Sequence, residues 1–118
     1  MSFRGPEQSL CDILTGIAMI EEFTNGVSFA RFREEPMRIA AVERYLLMIS
    51  EAAIRLGPQA QTLGPGVPWQ NIRGIGNWIR HQYDRVDLDI VWHTATVELA
   101  PLKSAAQKAL EEHKSSSG

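Results

Sequence analysis

The sequence predicts an all-α protein, an antiparallel four-helix up-and-down bundle with one short extra helix. Three observations predict it. Apolar residues recur at steps of three and four along four long stretches, the spacing that gathers them on one face of a helix. Glycine and proline punctuate the gaps between those stretches, most of which are short enough to join antiparallel neighbours. No segment of useful length alternates apolar and polar residues as a half-buried strand would, and no internal repeat is visible.

Each element has its own signal. Leu10, Ile13, Leu14, Ile17 and Ile20 form the first stripe, with Glu7, Asp12, Glu21 and Glu22 mostly off it, so the first helix falls near residues 7–24 and ends at Asn25-Gly26. Phe29, Phe32 and Pro36 mark a short second helix or turn, and Pro36 suits the first turn of the element after it. Val42, Tyr45, Leu46, Ile49, Ala52, Ala53 and Leu56 give a helix over 36–56, stopped by Gly57-Pro58. Residues 57–68 hold three prolines and three glycines and read as a loop. Trp69, Ile72, Ile75, Ile79 and Tyr83 then give a helix that ends near Asp84. Asp87 N-caps the last one, whose apolar face runs from Leu88 through Val91, Ala95, Leu99, Leu102 and Ala106 to Leu110. Pro101 sits inside that pattern and is expected to kink it. The domain is expected to cover residues 1–113, with 114–118 a disordered tail.

Composition narrows the function classes. A chain of 118 residues with 44% hydrophobic content suits one domain with its own core. The formal net charge of −2 argues against broad, sequence-blind binding to a nucleic-acid backbone, while leaving room for a local basic site. Cys11 is the only cysteine, so an internal disulfide and a cysteine-based metal cluster are excluded; its apolar neighbours predict a buried, inert thiol. No apolar run approaches the ~20 residues that span a bilayer, and the N-terminal residues have no apolar signal core. The expected location is the cytoplasm.

The residues able to do chemistry cluster between Trp69 and Arg85. Arg73, Asn77 and His81 stand at i, i+4 and i+8, each about 40° round the helix from the last, and so line one side. Arg80, Tyr83 and Arg85 crowd the same end, where three arginines and a histidine face only Asp84. A cationic patch with an imidazole fits metal-free cleavage of an RNA phosphodiester. The imidazole can take the 2′-hydroxyl proton or supply one to the leaving oxygen, and an arginine can hold the phosphate. A helix face carrying Arg, Asn and His is equally what a solvated surface looks like. Trp69 and Trp92 read as packing anchors.

The run from Pro68 to Tyr83, followed by Asp84-Arg85-Val86-Asp87 and Val91-Trp92, resembles the HepT-like branch of the HEPN superfamily. Ala41 to Arg44, Leu46, Ser50-Glu51-Ala52 and Leu99-Ala100-Pro101-Leu102 extend the likeness over roughly residues 8–110. The resemblance implies a helical homodimer and a ribonuclease toxin needing no metal and no cofactor. It further implies a minimal nucleotidyltransferase antitoxin as partner, in a pair of the type VII kind. The family signature is Arg, four to six residues, His, any residue, Tyr. It places the acid/base at His81, assigns Asn77 to the site, and makes Tyr83 both a positioning residue and the acceptor of AMP from the antitoxin. Gly76 stands where the signature has its arginine, with Arg73 and Arg80 as the candidates to hold the RNA phosphate in its stead. An arginine restored at position 76 is expected to speed cleavage and, as a better helix former than glycine, to stabilise the helix. The alternative is a catalytically weakened or silent module that pairs with the nucleotidyltransferase and binds nucleotide or RNA.

Overall fold

A computed structural model describes residues 5–81 and 87–117. Every regular element among them is helical: α1 (Pro6–Thr24), α2 (Phe29–Phe32), α3 (Pro36–Leu56), α4 (Gln59–Leu63), α5 (Trp69–His81), α6 (Leu88–His93), a π-helical turn (Thr94–Glu98) and α7 (Leu99–Ser117). The all-α class is as the sequence predicts. The principal pairings are α1 with α3, α3 with α5, and α1 with α7, in a body about 47 × 29 × 28 Å.

Helix boundaries follow local chemistry. Pro6 and Pro36 each occupy the first turn of their helices, where a missing N–H costs nothing. The Ser28 hydroxyl caps α2 by accepting the Arg31 N–H at 3.1 Å, and the Asp87 carboxylate caps α6 by accepting the Asp89 N–H at 3.0 Å. Gly57 ends α3 with φ of 65°, a conformation other residues rarely adopt. Glu35 lies between α2 and α3 and accepts from Arg31 (2.7 Å) and Arg38 (2.5 Å). These bonds, that of Arg31 first, hold its carboxyl below the usual range.

The core is the set of stripes read from the sequence. Leu10, Ile13, Ile17 and Ile20 of α1 meet Val42, Leu46, Ile49, Ala53 and Leu56 of α3, with Trp69, Ile72, Val91, Leu99 and Leu102 completing it. Gly16 lets α1 approach α3 closely; a Cβ there would stand 2.7 Å from Ile49 Cγ1. Trp92 packs on Phe32 (4.9 Å between centroids) and Phe29 (5.8 Å), and the buried Trp69 donates its indole N–H to the Gly64 carbonyl at 2.7 Å. Both tryptophans are the anchors expected of them.

Several expectations need correction. Residues 57–68 are not all loop, because α4 forms within them and buries Ala60 against the core. Cys11 is exposed, not buried. It follows Leu10 by about 100° round α1, which carries it off the inward line of Leu10, Ile13 and Ile17. The irregularity expected at Pro101 begins earlier, in the π-helical turn. A proline at 101 crowds the carbonyl four residues before it, at Val97, and the wider turn over Thr94–Glu98 contains that carbonyl. The last helix continues through Ser117, past Lys114.

Candidate active site

Helix α5 turns Trp69, Ile72, Ile75 and Gly76 inward and leaves Gln70, Asn71, Gly74, Asn77, Arg80 and His81 exposed. Its seat on α3 is set at Gly76. A Cβ at that position would lie 2.6 Å from Ser50 Cβ and 3.3 Å from Leu47 Cδ1, and would also meet the Ser50 hydroxyl. The buried Ser50 hydroxyl donates to the Arg73 carbonyl at 2.8 Å, one turn earlier. Position 76 is therefore a close helix–helix contact. It faces about 140° away from His81, five residues on. The expectation that an arginine at 76 would stabilise the helix is overturned: the gain in helix propensity is opposed by overpacking against α3.

The arginines proposed from sequence part company. Arg73 is half-buried; its Nη2 donates to the Gly57 carbonyl at 2.9 Å and its guanidinium lies 5.9 Å from the centre of the Trp69 ring. It thus ties the end of α3 to the start of α5. Arg80 faces solvent, with Nη2 3.5 Å from Glu51 Oε2 in a pair exposed on both sides. Such a pair holds by roughly 0.2–1 kcal/mol, so Arg80 can exchange Glu51 for another anion at little cost. Asn77 and His81 are exposed, about 100° and 140° round α5 from the α3 contact at Gly76. Tyr83 and Arg85 lie outside the described residues. On α3, Glu43 continues the line of Leu47 and Ser50 towards the His81 end, and burial pushes its carboxyl above the usual range.

Alongside α5 runs a groove of about 460 Å³ that sequence reasoning missed. Its α5 wall is Gln70, Asn71, Gly74 and Trp78, and its far wall is Asp89, Ile90 and His93 of α6 with Glu98 of the π-helical turn. Asn71 donates to Glu98 Oε2 at 3.1 Å, and His93 Nε2 stands 4.0 Å from the same oxygen. Glu98 is largely covered, its side chain only 16% exposed. A regular α-helix would hold residues 93 and 98, five apart, about 140° away from one another. The π-helical turn brings them together, which is why a search at α-helical spacing finds no link between them. Among the described residues, no three His, Cys, Asp or Glu side chains gather as metal ligands, and no helix is long and apolar enough to cross a membrane.

Comparison with known proteins places this geometry. The Ribonuclease HepT-like family matches residues 13–109. The Thermococcus cleftensis protein named "Probable ribonuclease HepT" is 30% identical over 105 residues, 89% of this chain and 96% of its own length. Two proteins named putative RNases, from Caldanaerobacter subterraneus subsp. tengcongensis and Methanocaldococcus jannaschii, are 29% and 28% identical over 92% and 91% of this chain, and over 97% and 98% of their own. No solved structure gives a significant match. A match that runs from α1 into α7 and takes in the whole of α5 makes this chain a member of the HepT-like ribonuclease family.

Proposed function

We propose that the chain is a metal-independent endoribonuclease toxin acting in the cytoplasm, neutralised when a minimal nucleotidyltransferase antitoxin transfers AMP to Tyr83. The observation that carries the reading is the solvent-facing presentation of His81 and Asn77 on α5, inside the segment that matches the ribonuclease family. In this reading the neutral imidazole of His81 removes the proton of a ribose 2′-hydroxyl. The oxygen attacks the neighbouring phosphorus, and the 5′-oxygen leaves. Arg80, adjacent to His81 and only loosely paired, holds the phosphate; Arg73, committed to Gly57 and Trp69, contributes less. Asn77, one turn before His81, donates its amide to the substrate. Transferred AMP on Tyr83 would set a phosphate where RNA binds and compete for the same arginine.

Two copies joined about a two-fold axis would double the local positive charge of a chain whose net charge is −2. Ile90 (42% exposed), which lines the groove together with the open position at Gly74, and Val97 (53%) offer apolar surface for that contact. A specific observation favours the alternative reading of a weakened or silent nucleotide- or RNA-binding module: Gly76 is packed into α3, and Arg73 serves the fold. Cleavage of a defined RNA in chelator, by the wild-type chain and by His81→Ala, separates the two readings.

A further inference from the structure

Three glycines stand inside the described helices, and the packing of the chain explains two of them. Gly16 admits Ile49 of α3, and Gly76 admits Ser50. Gly74 is different, because a Cβ built there would meet nothing within 4 Å. Glycine weakens a helix interior relative to alanine, and no contact within the chain calls for it at position 74. Glycine is also the residue that lets a group from outside come close to the backbone. Gly74 lies in the floor of the groove beside α5, and Gln70 and Trp78 stand one turn to either side of it on the same line. Those two positions are about 12 Å apart along the axis, with no side chain between them on that line. The buried Ile75 closes the floor, and His93, 61% exposed, lines the opposite wall, so each wall of this slot carries an aromatic ring. Asp89 and Glu98 add negative charge to the wall of His93, and among the described residues no lysine or arginine lines the groove.

We propose that the slot at Gly74 is a base-binding subsite, which receives an adenine or a cytosine of the RNA a few nucleotides from the bond that His81 cleaves. The proposal rests on the ribonuclease reading above. Carboxylates repel a phosphate but accept from an exocyclic amine, which adenine and cytosine carry and uracil lacks. The exposed Gln70 amide can donate to a ring nitrogen and accept from the same amine. Bases stack on aromatic side chains, and the volume of about 460 Å³ is that of a small-ligand site. Gln70, Gly74, Trp78 and His81 fall within an arc of about 80°, so one strand running along α5 can reach them all. Gly74 lies about 10 Å and Gln70 about 16 Å from His81 along the axis. At roughly 3.4 Å of rise per nucleotide in a stacked strand, that separation is a few nucleotides, and the slot selects a base without touching the cleaved bond. Only five residues separate His81 from Asp87, and Asn71 meets Glu98, so α5 and α6 run antiparallel. Ile90 therefore stands towards the Trp78 end of the groove, and a second copy docked on it leaves the end at Gly74 and Gln70 open.

The test measures binding of labelled octanucleotides whose 2′-hydroxyls are methylated, so that none is cleaved: octaadenylate, octacytidylate, octauridylate and an abasic strand of equal charge. The wild-type chain should bind the first two at least about 10-fold more tightly than the last two. Gly74→Leu fills the slot and should bind all four as weakly as the abasic strand. It should melt no lower than wild type, because its side chain enters open space and leucine is the better helix former. Gln70→Ala should narrow the preference for the amine-bearing bases over uracil. Arg80→Ala should weaken all four strands alike and leave the preference intact. A wild-type chain without preference overturns the proposal, and so does a preference that survives in Gly74→Leu. Should that variant fail to fold, a full preference in Gln70→Ala overturns it instead. Conversion of a dimer to a monomer by Gly74→Leu, followed by sedimentation, assigns the slot to a second copy and also overturns it. In each of these cases cleavage of a defined RNA in chelator by the wild-type chain leaves the ribonuclease reading standing. A folded wild-type chain that neither cleaves that RNA nor binds any of the four strands overturns the ribonuclease reading, and the subsite with it.

Discussion

At Gly76 a single missing side chain decides how α5 sits. The contact with Ser50 and Leu47 leaves no room for a Cβ, so Gly76→Ala should destabilise the protein by about 1–2 kcal/mol, overpacking outweighing the ~1 kcal/mol that alanine gains in a helix. Gly76→Arg should cost more. Thermal melting measures both, and a rise in Tm for either would show that α3 and α5 are not seated as described. Tyr83 carries a separate prediction. Incubation with the nucleotidyltransferase and ATP should add one adenylyl group to the intact mass, and Tyr83→Phe should take up none; the same increment on the variant would move the acceptor elsewhere. The two positions also differ in how far sequence reached them. The likeness to the family locates Tyr83 and flags Gly76 as the missing arginine. That position 76 faces α3 and not the solvent side of His81 depends on how far α5 is rotated on α3, and Ser50 and Leu47 set that rotation from more than twenty residues away in the chain.

At the level of the helices, what could be read was what local period and capping dictate. The stripe of α1, the span of α3 from Pro36 to Leu56, and the Asp87 cap of α6 follow from residues within a turn or two of one another. The short α4 did not, because its glycine- and proline-rich surroundings speak for loop while Ala60 gains burial only from distant elements. The His93–Glu98 pair was also illegible, since its five-residue spacing becomes a contact only in a π-helical turn. Arg73 and Arg80 show the same limit, being equal candidates by spacing and unequal once α3 is in place. Arg73→Ala should lower stability by about 1–3 kcal/mol through the lost bond to Gly57 and the lost contact with Trp69. Arg80→Ala should change stability by less than about 0.5 kcal/mol yet slow RNA cleavage by 10-fold or more, since its exposed pair with Glu51 holds little together. Denaturant melts and single-turnover rates on the same samples check both. A stable Arg73→Ala that cleaves slowly, beside an active Arg80→Ala, would reverse the assignment.

For the whole molecule, the body that carries α5 is small, and its charge balance is slightly acidic. An RNA-cleaving surface must therefore be concentrated, and pairing of two α5 edges is the economical way to do it. Sedimentation at micromolar concentration should give the mass of a dimer, and Ile90→Glu, placing a charge on the exposed apolar surface beside α5, should shift it towards monomer. A wild-type monomer at that concentration would rule out the pairing of two α5 edges. In the proposed function the solvent-facing His81 of α5 cleaves RNA without a metal. Its most direct test is single-turnover cleavage of a defined RNA in excess chelator by the purified wild-type chain and by His81→Ala, with melting curves to show that both are folded. Wild type should cleave to a 2′,3′-cyclic phosphate and His81→Ala should not, at equal stability; equal cleavage by the two, or none by a folded wild-type dimer, would refute a metal-free role for His81.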